Sequence, residues 1–137
     1  MIRKAVFAGA LLAGAQVVHA QPAFEPDMQP LEACQNYTGW TPTGAAVCAG
    51  EATREADRRI GNLINEARLP TLALRGSDLS ASQTNWQRYR DLHCGLFDRR
   101  DGSSGTQTPA DIQLCRLAHS LRREAELREL IYLMGSR

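Results

Sequence analysis

Four cysteines, Cys34, Cys48, Cys94 and Cys115, limit the folds open to this chain more than any other feature. They follow an N-terminal segment in which Arg3 and Lys4 precede an apolar run from Ala5 to Val18, closed by Val18-His19-Ala20. That order of charge, apolar run and small residues predicts an export leader over residues 1–20, cut after Ala20. The run is shorter than the about 20 residues a membrane helix requires, so no membrane segment is expected after cleavage. No cysteine follows the cleavage point to take a lipid anchor. Export exposes the thiols to an oxidising compartment, and an even count in a short exported chain predicts two disulfides. Of the three possible pairings, Cys34 with Cys48 and Cys94 with Cys115 is preferred, because each closes a short local loop and is worth about 3 kcal/mol. The expected location is the bacterial periplasm or the outside of the cell.

The rest of the chain divides simply. Residues 21–43 carry Pro22, Pro26, Pro30 and Pro42 and read as a proline-rich arm, with a helical turn near Leu31 to Tyr37 presenting Cys34. Trp40, in the turn-like Thr38-Gly39-Trp40-Thr41-Pro42, reads as a lid over one end of the core or as an exposed contact. Residues 44–137 read as one helical domain. The whole chain has a net charge of +1, which falls to −1 once Arg3 and Lys4 leave with the leader. Near neutrality argues against nucleic acid as a partner, and it gives no acidic field to draw in a cationic one.

Three long helices are expected. The first runs from about Gly44 to Ala67, with Cys48, Ala52, Ala56, Ile60, Leu63, Ile64 and Ala67 as its apolar stripe. Gly61 interrupts it and reads as a close crossing or a bend. The second runs from about Asp78 to Phe97, where Gln83, Trp86, Tyr89, Arg90, His93, Leu96 and Phe97 recur at steps of three or four and share one side. The third opens at Thr108-Pro109-Ala110-Asp111, a threonine cap with proline first in the helix, and continues to about Leu133. Its charges, including Arg123 and Glu124, read as a solvated face, with Glu124 and Arg128 paired one turn apart. A polar loop over residues 98–107 joins the last two helices. Taken together, the expected fold is all-α, a small disulfide-stapled bundle of about three helices in antiparallel hairpins.

His93, Cys94, Cys115 and His119 could be drawn as a tetrahedral zinc site, but the adjacent His93 and Cys94 fit that geometry poorly and export favours the disulfide. No metal or other cofactor is therefore expected. Nothing sets two carboxylates at a defined separation, no serine sits in a nucleophile elbow, and no glycine-rich phosphate loop is present. The chain reads as a binding protein and not an enzyme. Trp86 and Arg90 lie four residues apart, so the guanidinium can cover the indole while Gln83 meets a nearby backbone group.

These residues carry a resemblance. Gln83-x-x-Trp86-x-x-Tyr89-Arg90-Asp91-x-x-Cys94, a Gly102-Ser103 loop, and Cys115 followed by Ser120-x-x-Arg123-x-x-x-Leu127 resemble the LprI-type lysozyme inhibitors, small exported helical proteins of bacteria. Cys48 followed by Ala56-Asp57-x-x-Ile60 extends the likeness, with Gly61 and Ile64 where the family has asparagine and tyrosine, and Ser120 in place of threonine. The resemblance implies a helical fold, a Cys94 to Cys115 bridge, and lysozyme as the partner, with another envelope protein as the alternative. Within that reading the contacts are placed on the polar loop, at Arg99, Arg100, Ser103 and Ser104, because cationic side chains suit an acidic cleft.

Overall fold

The computed structural model describes residues 24–36, 38–68, 76–98, 105 and 107–135; the expected leader lies outside them. Those residues form four α-helices and no strand: α1 (Gln29–Asn36), α2 (Pro42–Ala67), α3 (Gly76–Cys94) and α4 (Thr108–Gly135), with a single 3-10 turn over Gly95–Phe97 extending α3. The fold is the expected all-α bundle, with four helices where about three were expected. Both disulfides pair as preferred, Cys34 with Cys48 and Cys94 with Cys115, at Cα separations of 5.5 and 5.6 Å.

The additional helix is α1. Asp27 Oδ1 accepts the Gln29 N–H at 3.0 Å, and Pro30 falls in the first turn, where its missing N–H leaves nothing unpaired. Pro30 therefore helps to start a helix within the stretch that reads as an arm. Phe24 lies against Tyr132 with ring centroids 5.3 Å apart, which brings the segment before α1 to the far end of α4.

Threonine and proline open α2 as they were expected to open α4. Thr41 Oγ1 accepts the Gly44 N–H at 3.0 Å and Pro42 follows as the first helical residue, so α2 begins two residues before the expected Gly44. In α4 the Asp111 N–H bonds the Gln107 carbonyl at 3.1 Å, placing Thr108 inside the helix rather than at its cap. Trp40 follows Gly39, whose φ of 82° is open to glycine, and is 38% exposed outside both core clusters.

Cross-helix pairs give the topology. Going along α2, Asp57 meets Ser120 and Arg59 meets Glu124, so α2 and α4 run parallel. Along α3, Gln83 meets Arg123, Asp91 meets Arg116 and Cys94 bonds Cys115, so α3 runs against both. On α2 the fully buried line is Ala45, Ala49, Thr53, Ala56, Ile60, Ile64 and Ala67. In its first half this line is rotated from the expected stripe, because Cys48 and Ala52 turn toward α1 and the Cys34 bridge. Alanine at these positions lets the α4 backbone come close.

The core is in two parts. One gathers Cys34, Ala49, Ala56, Leu117 and Leu121, with Met28 and Leu31 laid over it. The other gathers Ile60, Ile64, Ala67, Leu79 and Leu127, with Trp86, Leu130 and Ile131 packed alongside. Leu96 and Phe97 do not join Trp86 in it. The tighter 3-10 turn after Cys94 breaks the helical step that would have carried them round, and Leu96 is 76% exposed.

Gly61 marks no close crossing, since a Cβ built on it meets nothing within 4 Å. Without a packing reason for glycine, only its cost in a helix interior remains. Gly61→Ala is expected to stabilise the protein by about 0.5–1 kcal/mol, read as a rise in thermal midpoint of roughly 4 °C. An unchanged or lower midpoint would mean that glycine serves the bundle in some other way.

Candidate functional site

The two core clusters are separated by a polar layer built around Arg90. This residue is only 8% exposed, and its Nη1 donates to both carboxylate oxygens of Asp57 at 2.9 Å and to Ser120 Oγ at 2.9 Å. Ser120 in turn donates to Asp57 Oδ1 at 2.8 Å, so one residue from each long helix closes a three-membered ring of bonds. Charged bonds at this depth are strong because little water competes with them. Arg90 Nε turns back to Asp91 Oδ1 at 3.3 Å, and Arg116 Nε lies 3.4 Å from the same oxygen.

Trp86 lies one turn before Arg90 and is approached by two guanidinium groups. The Arg90 guanidinium sits 4.9 Å from the indole centroid and that of Arg123 sits 5.8 Å away. Arg123 is held in turn by Gln83 Oε1 at 3.2 Å, Ser82 Oγ at 3.1 Å and Glu126 Oε2 at 3.1 Å. Gln83 thus meets a side chain rather than the expected backbone group, and Arg123 leaves the expected solvated face for the indole.

Glu124 leaves it too. It is 5% exposed and accepts from Arg59 Nε at 2.9 Å as well as from Arg128, the partner expected from spacing. Glu55 pairs with Arg59 at 3.4 Å but is bound more closely by Arg58, whose Nε donates to it at 2.9 Å. Arg58 holds the Glu55 carboxyl below its usual range.

Asp57, Ser120 and Glu124 were the residues missed as core polar groups. The signal was present for two of them. Asp57 lies between Ala56 and Ile60 in the segment resembling the inhibitors, and Ser120 sits between Leu117 and Leu121, on the apolar side of α4. Glu124 offered none, because a charge among charges reads as solvated.

Of the motif residues, Tyr89 and Asp91 are exposed, but Asp91 is bonded to Arg90, whereas Tyr89 turns outward. It is more than half exposed, and its ring packs 5.5 Å from His93 and 5.6 Å from His119, which lie 5.0 Å from each other. Burial pushes His119 below the ordinary histidine range; the facing His93, Arg122 and Arg90 act in the same direction and Glu126 opposes them. Ring nitrogens of the two histidines and the sulfur of Cys115 lie within 4.8 Å of one another, the grouping drawn as a zinc site from sequence. Cys115 is bonded to Cys94, so its sulfur offers no thiolate there.

Beyond Tyr89 the surface is apolar. Leu92 is 65% exposed, and Leu96 and Phe97 follow it at the root of the 98–107 loop. The contacts expected on that loop, Arg99, Arg100, Ser103 and Ser104, lie outside the described residues. Its two roots are tied by the Cys94–Cys115 bridge. No helix among the described residues is long and apolar enough to cross a membrane.

No curated protein and no solved structure matches the chain. A family model does, that of lysozyme inhibitor LprI, over residues 34–127. The matched span opens at the first bridged cysteine, takes in both disulfides and the whole Arg90 network, and closes at the buried Leu127. On that match the chain belongs to the LprI lysozyme inhibitor family.

Proposed function

We propose that this is an exported protein of the bacterial periplasm or cell exterior that inhibits a lysozyme by binding it, without catalysis or a cofactor of its own. Family membership supports the activity, and the leader-like residues 1–20 support the compartment. One observation favours a particular face. Gln83, Trp86, Arg90, Asp91 and Arg123 are tied into the network between the helices, whereas Tyr89 lies on the surface beside Leu92, Leu96 and Phe97. Exposed tyrosine and large apolar groups in one patch are what a protein interface uses. The patch leads into the loop carrying Arg99, Arg100, Ser103 and Ser104, which supply the polar contacts in this proposal.

The test is lysis of a peptidoglycan suspension by a C-type lysozyme with the disulfide-intact protein titrated in. Stoichiometric loss of lysis is the expected result. Tyr89→Ala should weaken inhibition by about tenfold at unchanged thermal midpoint, as should Arg99→Ala combined with Arg100→Ala. If neither variant moves the inhibition constant, the contact face lies elsewhere. A second reading has one observation in its favour: the chain without its leader is near neutral, whereas an acidic surface would suit a cationic lysozyme. That reading is an envelope interaction module that leaves lysozymes untouched, and lack of inhibition at about micromolar protein across several lysozyme types would select it.

A further inference from the structure

A groove of about 820 Å³ lies between the first halves of α2 and α4 and the end of α3. Three arginines line it, Arg54 from α2, Arg90 from α3 and Arg116 from α4, against a single acid, Asp91. Arg90 already binds Asp57 and Ser120. Arg54 makes no hydrogen bond or ion pair among the described residues, and Arg116, though its Nε lies 3.4 Å from Asp91 Oδ1 as an ion pair, has no hydrogen-bond partner for that buried Nε. A buried guanidinium N–H without an acceptor is costly, and a ligand oxygen would relieve it.

The remaining lining is mixed. Ala46, Val47 and Pro109 give an apolar wall, and Gln113 a neutral polar group. Gly50 forms part of the lining, where Gln113 Oε1 and Arg54 Nη1 would lie 3.8 and 3.9 Å from an added Cβ, so side chains of both α2 and α4 border it. Excess positive charge favours an anion, and guanidinium forks favour planar oxygen pairs. The apolar wall favours a hydrocarbon portion beside that charge, which inorganic anions lack.

We propose that this groove binds an organic carboxylate, gripped by Arg54 and Arg116 from α2 and α4 with its hydrocarbon part on Val47 and Pro109. The site stands whether or not the chain inhibits a lysozyme, since none of these residues belongs to the Tyr89 patch or to the 98–107 loop. The carboxylate belongs to a free organic acid or to an acidic side chain of a peptide, and the two are separable.

Calorimetric and NMR titrations of the disulfide-intact protein test it, with hexanoate as the free acid and a capped tripeptide with a central glutamate as the peptide. At least one should bind saturably with a dissociation constant of about 1 mM, as suits so small a ligand, and more weakly at high salt. The tighter of the two identifies the source. Arg54→Gln with Arg116→Gln should weaken binding by about tenfold or more, while Arg58→Gln, away from the groove, leaves it unchanged. Gly50→Leu, which suits a helix interior and adds bulk to the lining, should abolish binding in a fully folded protein and serves if the double variant unfolds. Absence of saturable binding by either probe overturns the proposal. So does hexanamide binding as well as hexanoate, inorganic phosphate binding as well as either carboxylate, or indifference to both variants.

Discussion

Replacing Arg90 with alanine is expected to cost about 3 kcal/mol of folding stability, among the largest effects of any single substitution in this bundle. Asp57 and Ser120 would lose their shared donor in the layer between the two core clusters, and Trp86 would lose the guanidinium covering one side. The Asp57 side chain remains 34% exposed, so water partly replaces the lost partner and the cost falls at the lower end of the range for a broken buried pair. Arg90→Lys should recover only part of the loss, because an ammonium cannot span Asp57, Ser120 and Asp91 as the planar fork does. Urea unfolding gives the number, and a double-mutant cycle with Asp57→Asn isolates the pair. A loss below about 1 kcal/mol would show the layer to be hydrated in solution and the pair to be worth no more than a surface one.

The second large effect concerns the Cys94–Cys115 bridge. Changing both cysteines to serine should remove about 3 kcal/mol, the chain-entropy value for a closed loop of this length. The loss should be uneven. The C-terminal half of α3 offers little apolar surface to the bundle, with Tyr89, Leu92 and Leu96 all exposed, so beyond Arg90 the bridge is its main tether to α4. Amide hydrogen exchange should therefore accelerate most over residues 88–98, with α2 and the middle of α4 little affected. Uniform acceleration across all the helices would mean that the bridge acts on global stability alone. If the Tyr89 patch carries lysozyme inhibition, the same variant should also inhibit less well, through loosening rather than through lost contacts.

The long helices and both bridges were legible in the sequence for a physical reason. Apolar residues at three- and four-residue steps, threonine-proline starts, and short local loops between cysteines are all encoded by neighbours in the chain. What the sequence hid was settled across the chain. Asp57, Arg90 and Ser120 lie on three different helices, and although Asp57 sits beside the apolar Ala56 and Ile60, only the arrival of Arg90 and Ser120 separates it from Glu55 and Arg58, which face solvent. Glu124 was read as solvated for the same reason. Burial of Glu124 depends on Arg59, 65 residues earlier, being placed to receive it. The α1 helix was obscured because proline near a helix start and proline in an arm look alike until the cap at Asp27 is seen. Leu96 and Phe97 were misplaced because a helical step was continued through a turn of different pitch. The groove lined by Arg54 and Arg116 was invisible for the plainest reason: two arginines 62 positions apart are brought to one groove only by the parallel run of α2 and α4.

The polar layer has a further consequence for how those two helices choose their alignment. A seam of alanines is almost featureless, so Ala45, Ala49 and Ala56 on their own would let α4 slip along α2 by a turn at little cost. The charges forbid it. A slip of four residues in one direction brings Glu124 to the place of Ser120, carboxylate against the Asp57 carboxylate. A slip in the other withdraws Glu124 from Arg59 and takes Ser120 away from Asp57 and Arg90, so the buried charges lose the partners that satisfy them. The layer thus works as a register key: its contribution is less to how tightly the helices hold than to which of several nearly equal alignments they hold in.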